Sequence, residues 1–350
     1  MTSRTLTPAE RDALVRFSAD SARGHVESLF LKLNLAEGRA LWLKLTFLTR
    51  TIGKRDQVIE GWAIAFNLGE HAEEGALTET VALKETWPAS EAELARDCLY
   101  IRVGDVEMHH GRTRGELRDG KTGDHIQWDL SYTCEHSGFR HLPYGWMYGG
   151  PIPKTKAATP QMHALFNGVV TVNGHGTSVH EAPGMLGHNW GSQHAERWAW
   201  AHCNQWTETD EVAFEGVSSK VKLGPWTTPQ LTALMVRMPG ERLVINSLWA
   251  LIRNESTLDG LSWTFSGQRG DRRIQGWFSA PPDRFVGVDY HDPNGRVVHC
   301  LNSKIAQGAV TISARSGQSW QPLYTLSTHD SAALEFGLRG QTLGIPIRIR

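Results

Sequence analysis

The 350-residue sequence predicts an all-β protein built as two consecutive antiparallel β-barrels behind a short N-terminal helix. Three observations carry that expectation. Apolar and aromatic runs of five to ten residues recur along the chain, separated by turn signals. The length suits two domains better than one. A Pro- and Gly-rich stretch near the middle divides the runs into two sets.

The first 24 residues read as an amphipathic helix. Thr7 is its N-cap, Pro8 takes the first helical position, and Glu10 completes a capping box. Leu14, Val15 and Phe17 supply a buried stripe, and Gly24 ends it. Strands are expected at Val26–Leu33, Ala40–Leu48, Gly61–Phe66 and Leu99–Val106, with turns at Ala36-Glu37-Gly38 and Arg118-Asp119-Gly120. Between Leu41 and Phe47 the residues Leu41, Leu43, Leu45 and Phe47 alternate with Trp42, Lys44 and Thr46, the period of a half-buried strand. After Pro88, Ser90 and Glu93 suggest one more short helix.

From Ser137 to Pro160 the chain carries Pro143, Pro151, Pro153 and Pro160 together with Tyr144, Trp146 and Tyr148. Proline lacks a ladder donor, so this stretch reads as a packed connector and not a strand. The expected division is helix 1–24, first barrel with connector 25–160, and second barrel 161–350. In the second half, strands are expected at Leu165–Val172, Trp198–Trp206, Val212–Lys222, Leu231–Met238, Arg242–Trp249, Leu261–Ser266, Ile274–Phe278 and Val297–Leu301.

Composition excludes several function classes. The 36 Lys+Arg balance 37 Asp+Glu without a block of like charge, which argues against a nucleic-acid face or a polybasic anchor. No apolar run reaches the roughly 20 residues that span a bilayer, and the N-terminus is no secretory signal. The cysteines at 98, 134, 203 and 300 form no CxxC pair, so a cytoplasmic protein with free thiols is expected. No phosphate loop or cofactor motif is present, and no cofactor or metal is expected. His188, His194 and His202 match no metal-ligand spacing.

One count is unusual: 14 Trp against 6 Tyr. The segment 198–206 explains part of it. Read as a strand, it places Trp198, Trp200, His202, Asn204 and Trp206 on one face and the small residues Ala199, Ala201 and Cys203 on the other. The large face fills or lines a barrel interior. It is either a pocket for a hydrophobic ligand, with a few oriented polar tips, or a barrel plugged by its own tryptophans.

Gly187-His188-Asn189-Trp190-Gly191, followed by Trp198-x-Trp200 and Cys203-Asn204, resembles the signature of carotenoid 1,2-hydratases, AttH-like proteins and plant tocopherol cyclases. Leu142-Pro143 through Lys156 resembles the connector of the AttH-like members, and Asp292 to Ser303 resembles a late hairpin of the group, placing Asn302 near the site. The resemblance covers roughly residues 140 to 305. It implies two lipocalin-like (calycin-type) barrels and acid-catalysed attack on an isoprenoid double bond, the cation being quenched by water or an internal hydroxyl.

Such a site needs a proton donor whose pKa burial raises, and aromatic faces for the cation. The resemblance assigns catalysis to His188 and Trp190, with a downstream Tyr-x-Asp represented by Ala213-Phe214-Glu215. Asn189, Trp198, Trp200, His202, Asn204, Trp206 and Asn302 are the expected substrate contacts. A hairpin pairing Trp206 with Val212 places Phe214 on the tryptophan face and Glu215 with the alanines, and a one-residue slip reverses this. Glu196 and Asp289 are the other candidate carboxylates.

Three functions fit: a hydratase or cyclase of this type, a non-catalytic lipocalin-like binder of an apolar molecule, and a cyclase that shapes a polyene for a pericyclic reaction. Each takes a hydrophobic small molecule, which makes peripheral contact with a membrane an expectation as well.

Overall fold

The computed structural model describes residues 5–18, 23–36, 38–53, 56–67, 79–223 and 226–350. Two large antiparallel sheets account for most of them. The first holds twelve strands between His25 and Gly191. Its central members are β1 (His25–Ala36), β2 (Arg39–Thr49), β3 (Gln57–Asn67), β4 (Thr155–Val172) and β5 (His175–Gly191), adjacent in the order β3-β2-β1-β5-β4. The second sheet holds eleven strands between Arg197 and Ile349. There β6 (Arg197–Cys203), β7 (Ala213–Lys220), β8 (Leu231–Met238), β9 (Val297–Ser316) and β10 (Ser319–Leu338) run in the order β8-β7-β6-β10-β9.

Each sheet curls until strands remote in its order meet. Val81–Pro88 touches Arg112–Arg118 and His125–Tyr132 in the first, and Glu241–Ile245 touches Ser262–Arg269 in the second. The all-β expectation therefore holds, as two curled sheets close to barrels. The change of sheet falls between Gly191 and Arg197, not near residue 160. The connector reading ends too late, because Thr155 to Ala158 already pair with β5 as the start of β4. Only one helical turn, Trp146–Gly149, and the two-residue strand Phe139–Arg140 interrupt the preceding stretch.

The N-terminal capping box forms as expected, with the Thr7 side chain accepting from the Glu10 N–H and the Glu10 carboxylate accepting from the Thr7 N–H. The helix stops at Asp12, however, and does not run to Gly24. Val15 and Phe17 are buried from a non-helical segment, with Phe17 stacked 5.3 Å from Phe47. After Pro88 only a 3-10 turn, Ala89–Glu91, forms. The strand expected at Arg242–Trp249 ends at Ile245 and gives way to a helix, Leu248–Arg253.

β2 shows how the sheets assemble. Leu41, Leu43, Leu45 and Phe47 enter the first sheet's core, as their alternation predicts. The opposite face, expected to meet solvent, is also buried, for Trp42, Lys44 and Thr46 are each less than 7% exposed. Trp42 joins Trp62, Ile64 and Phe66 of the first sheet in a cluster with Val286, Val288, Tyr290 and Val298 of the second. The sheets thus share an apolar interface core.

The second sheet also reverses an expectation. Its interior is filled by Phe214, Trp263, Phe265 and Phe278, against which Ala199, Ala201 and Cys203 pack. Those aromatics leave room for small side chains only, so the large face of β6 points outward, toward the first sheet. Trp206, beyond the end of β6, turns into the interior beside Phe278 and donates its Nε1–H to the Val212 carbonyl.

Candidate active site between the sheets

A cavity of about 390 Å³ lies between the two sheets, within the range of small-molecule sites. Phe30, Trp42, Lys44, His188 and Asn189 line it from the first sheet, and Trp198, Trp200, Glu215, Val217 and Glu335 from the second. Leu142, Met147, Ile152 and Pro153 of the connector and Leu248 and Leu251 of the late helix complete the wall. Two glycines make the aromatic wall possible. A Cβ at Gly187 would fall 2.1 Å from the Phe30 ring, and one at Gly337 would fall 2.2 Å from the Trp198 indole. Phe30 in turn meets Trp200 edge to face at 5.7 Å.

Glu215 is the polar centre. β6 and β7 pair His202 with Glu215 and Cys203 with Phe214, one residue out of the expected register. The slip places Glu215 on the face of Trp198 and Trp200 and sends Phe214 into the core. Glu215 is fully buried. Its Oε1 accepts from His141 Nε2 at 3.0 Å, Thr159 Oγ1 at 2.7 Å and Trp200 Nε1 at 2.8 Å. Its Oε2 and the Nδ1 of His141 have no protein partner.

Burial alone pushes this carboxyl up. The charge and hydrogen bond of His141, the charge of His202 and the Thr159 hydroxyl outweigh it and hold Glu215 below the usual carboxylate range. The expectation of a buried carboxyl with a raised pKa is corrected accordingly: the donors on Oε1 stabilise the anion.

His188 lines the cavity, yet both its ring nitrogens are occupied. Nδ1 donates to the Asp12 carbonyl at 2.6 Å and Nε2 meets Glu27 Oε1 at 2.8 Å. Glu27 also accepts from the Arg16 N–H and from His25, and although burial raises its pKa, the two histidines bring it down to about 2. A histidine bonded to a carboxylate at one nitrogen and a carbonyl at the other has both ring nitrogens engaged. His188 therefore fastens the N-terminal segment to β1 and β5, and the geometry leaves it no nitrogen for substrate.

The remaining candidates divide. Trp190 lies off the cavity, packed on His188 at 4.6 Å and on Tyr148 at 5.7 Å. His202 is buried behind the wall, its Nε2–H on the Met162 carbonyl, and burial pushes its pKa down to about 4. Asn204 donates to the Gly184 carbonyl. Asn302 accepts from Lys304 through its Oδ1. Glu196 pairs with Arg296 and Arg339, and Asp289 pairs with His299. Gly191 lets the chain pass close to Lys154, whose carbonyl oxygen sits where a Cβ would be.

Sequence reasoning missed His141, Thr159 and Lys44. His141 and Thr159 fall in the proline-rich stretch that was read as a connector, where no periodicity marks an inward side. Among the described residues, no group of three or more His, Cys, Asp or Glu side chains is placed to hold a metal ion.

Comparisons with known proteins place this architecture. A family profile described as tocopherol cyclase-like matches residues 76–338. Two uncharacterized proteins of Mycobacterium tuberculosis, from strains CDC 1551 / Oshkosh and ATCC 25618 / H37Rv, are each 28% identical over 180 residues. That match covers 51% of this chain and 50% of theirs, so the chain spans about half the length of the curated relatives it matches. The crystal structure of CghA with Sch210972 has a TM-score of 0.58 at 8% identity, covering 97% of this chain and 94% of that one, which shows the same fold. A structure assigned to AttH from Nitrosomonas europaea has a TM-score of 0.48 at 15% identity, covering 90% and 92%.

Proposed function

The chain belongs to the tocopherol cyclase-like family, and on that premise we propose that it is a cyclase or hydratase that protonates a carbon–carbon double bond of a hydrophobic isoprenoid or polyene. The observation that carries the reading is the His141–Glu215 pair, buried in the cavity wall beside Trp198, Trp200 and aliphatic side chains.

In this mechanism Glu215 is the anion that orients His141 through Nε2, and His141 is the proton carrier. The free Nδ1–H of His141 gives its proton to the terminal alkene carbon, and a C–H bond forms as the π bond breaks. The cation at the neighbouring carbon is stabilised by the faces of Trp198 and Trp200 and by the Glu215 charge. An internal hydroxyl, or water, forms the C–O bond and returns its proton to Nδ1. The pair ends as it began, and ring closure or hydration is the net change.

The ionised state of Glu215 also favours a second reading, in which the cavity only folds a polyene for pericyclic closure; the structural likeness to CghA, solved with a bound small molecule, supports the same capacity. Around the cavity, Ile152 and Leu248 of the wall and the adjacent Trp146 and Trp249 are exposed. This apolar rim supports entry of a lipid-soluble substrate from a membrane surface.

Incubation with prenylated phenols and polyenes in deuterated, oxygen-18 water separates these readings. Deuterium on carbon in the product is expected, with labelled oxygen for hydration and unlabelled oxygen for cyclisation. Conversion without carbon-bound deuterium sinks the protonation step and leaves pericyclic closure. Tight binding with no product leaves the non-catalytic binder.

A further inference from the structure

The cavity has a second polar station that the proton chemistry at Glu215 does not use. Lys44, on the face of β2 turned toward the second sheet, lines the cavity and is only 5% exposed. Its ammonium lies 3.4 Å from the centre of the Tyr290 ring, 5.4 Å from that of Trp62 and 5.7 Å from that of Trp42. Ring faces stabilise the charge but accept none of its three N–H donors well. No carboxylate, carbonyl or hydroxyl of the described residues lies within hydrogen-bond or ion-pair distance of it.

The contrast with the neighbouring buried cation is informative. Lys304 donates to Asn302 and to Glu335 Oε1, so it is satisfied within the protein. Glu335, already engaged by Lys304, attracts Lys44 only from farther away, together with Cys300 and Glu60. Burial brings Lys44 down to about 8 against these attractions, which leaves it mostly protonated at neutral pH. Trp42, on the same wall, adds an indole N–H that is buried without a partner. Unmet donors of a buried cation cost free energy until an acceptor arrives.

The two stations are separated along the wall. Trp200 donates to Glu215, Lys304 sits 5.3 Å from the Trp200 ring and 5.3 Å from the Trp42 ring, and Lys44 lies beyond Trp42. A ligand reaching both stations must be long, apolar in the middle and polar at the Lys44 end.

We propose that Lys44, in its cage of Tyr290, Trp62 and Trp42, is the binding site for an acidic head group, a carboxylate or a comparably acidic enol, on the substrate of this cavity. The proposal rests on the cavity being the substrate site, but not on which group protonates the alkene. It makes Lys44 a specificity determinant that anchors one end of an apolar chain while the other end meets His141 and Glu215.

All-trans-retinoic acid and all-trans-retinol share one carbon skeleton and differ only in the head group, so their affinities, read from quenching of tryptophan fluorescence, test the proposal directly. The wild-type protein is expected to bind the acid at least about tenfold more tightly, the scale of a charge-assisted hydrogen bond. Lys44→Met should remove that preference and leave retinol affinity within about threefold, which also reports an intact cavity. Lys44→Arg, keeping the charge, should retain part of it and carries the decision if Lys44→Met binds neither probe. Equal affinities in the wild type, or a preference for the acid that survives Lys44→Met, overturns the proposal. Failure of both probes to bind the wild type overturns the cavity reading itself. Absence of turnover with the acid preference intact counts against the proton chemistry alone.

Discussion

Glu215 and Glu27 are both buried carboxylates paired with histidine, and the difference between them is what each pair leaves unused. At Glu27 the partner His188 has both nitrogens bound to protein. At Glu215 one carboxylate oxygen and the His141 Nδ1 remain without partners. The first pair is therefore structural and the second is available to a substrate. Glu215→Gln and His141→Gln should each lower turnover by at least about 100-fold in a steady-state assay with unchanged folding, the usual scale for a lost acid–base group. His188→Gln should instead cost about 1–3 kcal/mol of stability in urea unfolding, because it removes one of the two histidine partners of the buried Glu27 carboxylate and leaves it His25 and the Arg16 N–H. A His188→Gln protein of wild-type stability would contradict that assignment. Glu27 is also lowered from 4.5 to about 2 on folding, so its contribution is present above the unfolded value and is lost as pH falls between those limits. Acid titration by circular dichroism should show a stability loss in that window that Glu27→Gln, measured against its own neutral-pH stability, lacks. In the sequence, the His-x-Trp motif pointed at the cavity wall and at a histidine whose two nitrogens are both engaged by protein. A motif places residues along a strand, whereas the role of His188 depends on Asp12 and Glu27, partners 176 and 161 positions away in the chain.

Strand periodicity located β2 and β8 but not what each of their faces meets. Both faces are buried, and alternation then distinguishes two cores and not core from solvent. Lys44 was read as facing water for this reason, although Trp42 beside it on the same face was a signal to the contrary. β5 was missed because its motif residues, Gly184 to Gly191, carry little β propensity. Its place in the sheet comes from pairing with β1 and β4 along its length. The β6–β7 register could not be read because the hairpin loop admits either parity, and one step moves Glu215 from core to cavity. The seat of Trp198 on the cavity face is tied to Gly337, opposite it on β10. Gly337→Ala should displace the indole and destabilise the protein by about 1–3 kcal/mol, the range for overpacking a close contact. Near-UV circular dichroism and urea unfolding measure both effects. An unchanged tryptophan spectrum and midpoint would show that the ring does not rest on this glycine.

The whole molecule joins two curled sheets through a surface that neither could expose alone. Trp42, Trp62, Ile64 and Phe66 of the first sheet meet Val286, Val288, Tyr290 and Val298 of the second in one buried cluster. The His141–Glu215 pair crosses the same junction, with His141 and Thr159 reaching Glu215 from the chain that precedes the change of sheet. Each half separated from the other would present a contiguous aromatic face, a liability for aggregation. Cooperative unfolding of both halves as one unit follows, since interfaces this apolar resemble a divided core more than a contact between independent domains. Calorimetry should therefore show one transition, and a fragment ending at residue 191 should not yield a soluble folded sheet. A cavity ligand that bridges both walls should raise the single midpoint in proportion to its occupancy of the folded state. Two resolved transitions, with ligand moving only one of them, would mean that the sheets fold separately and that the cavity belongs to one half.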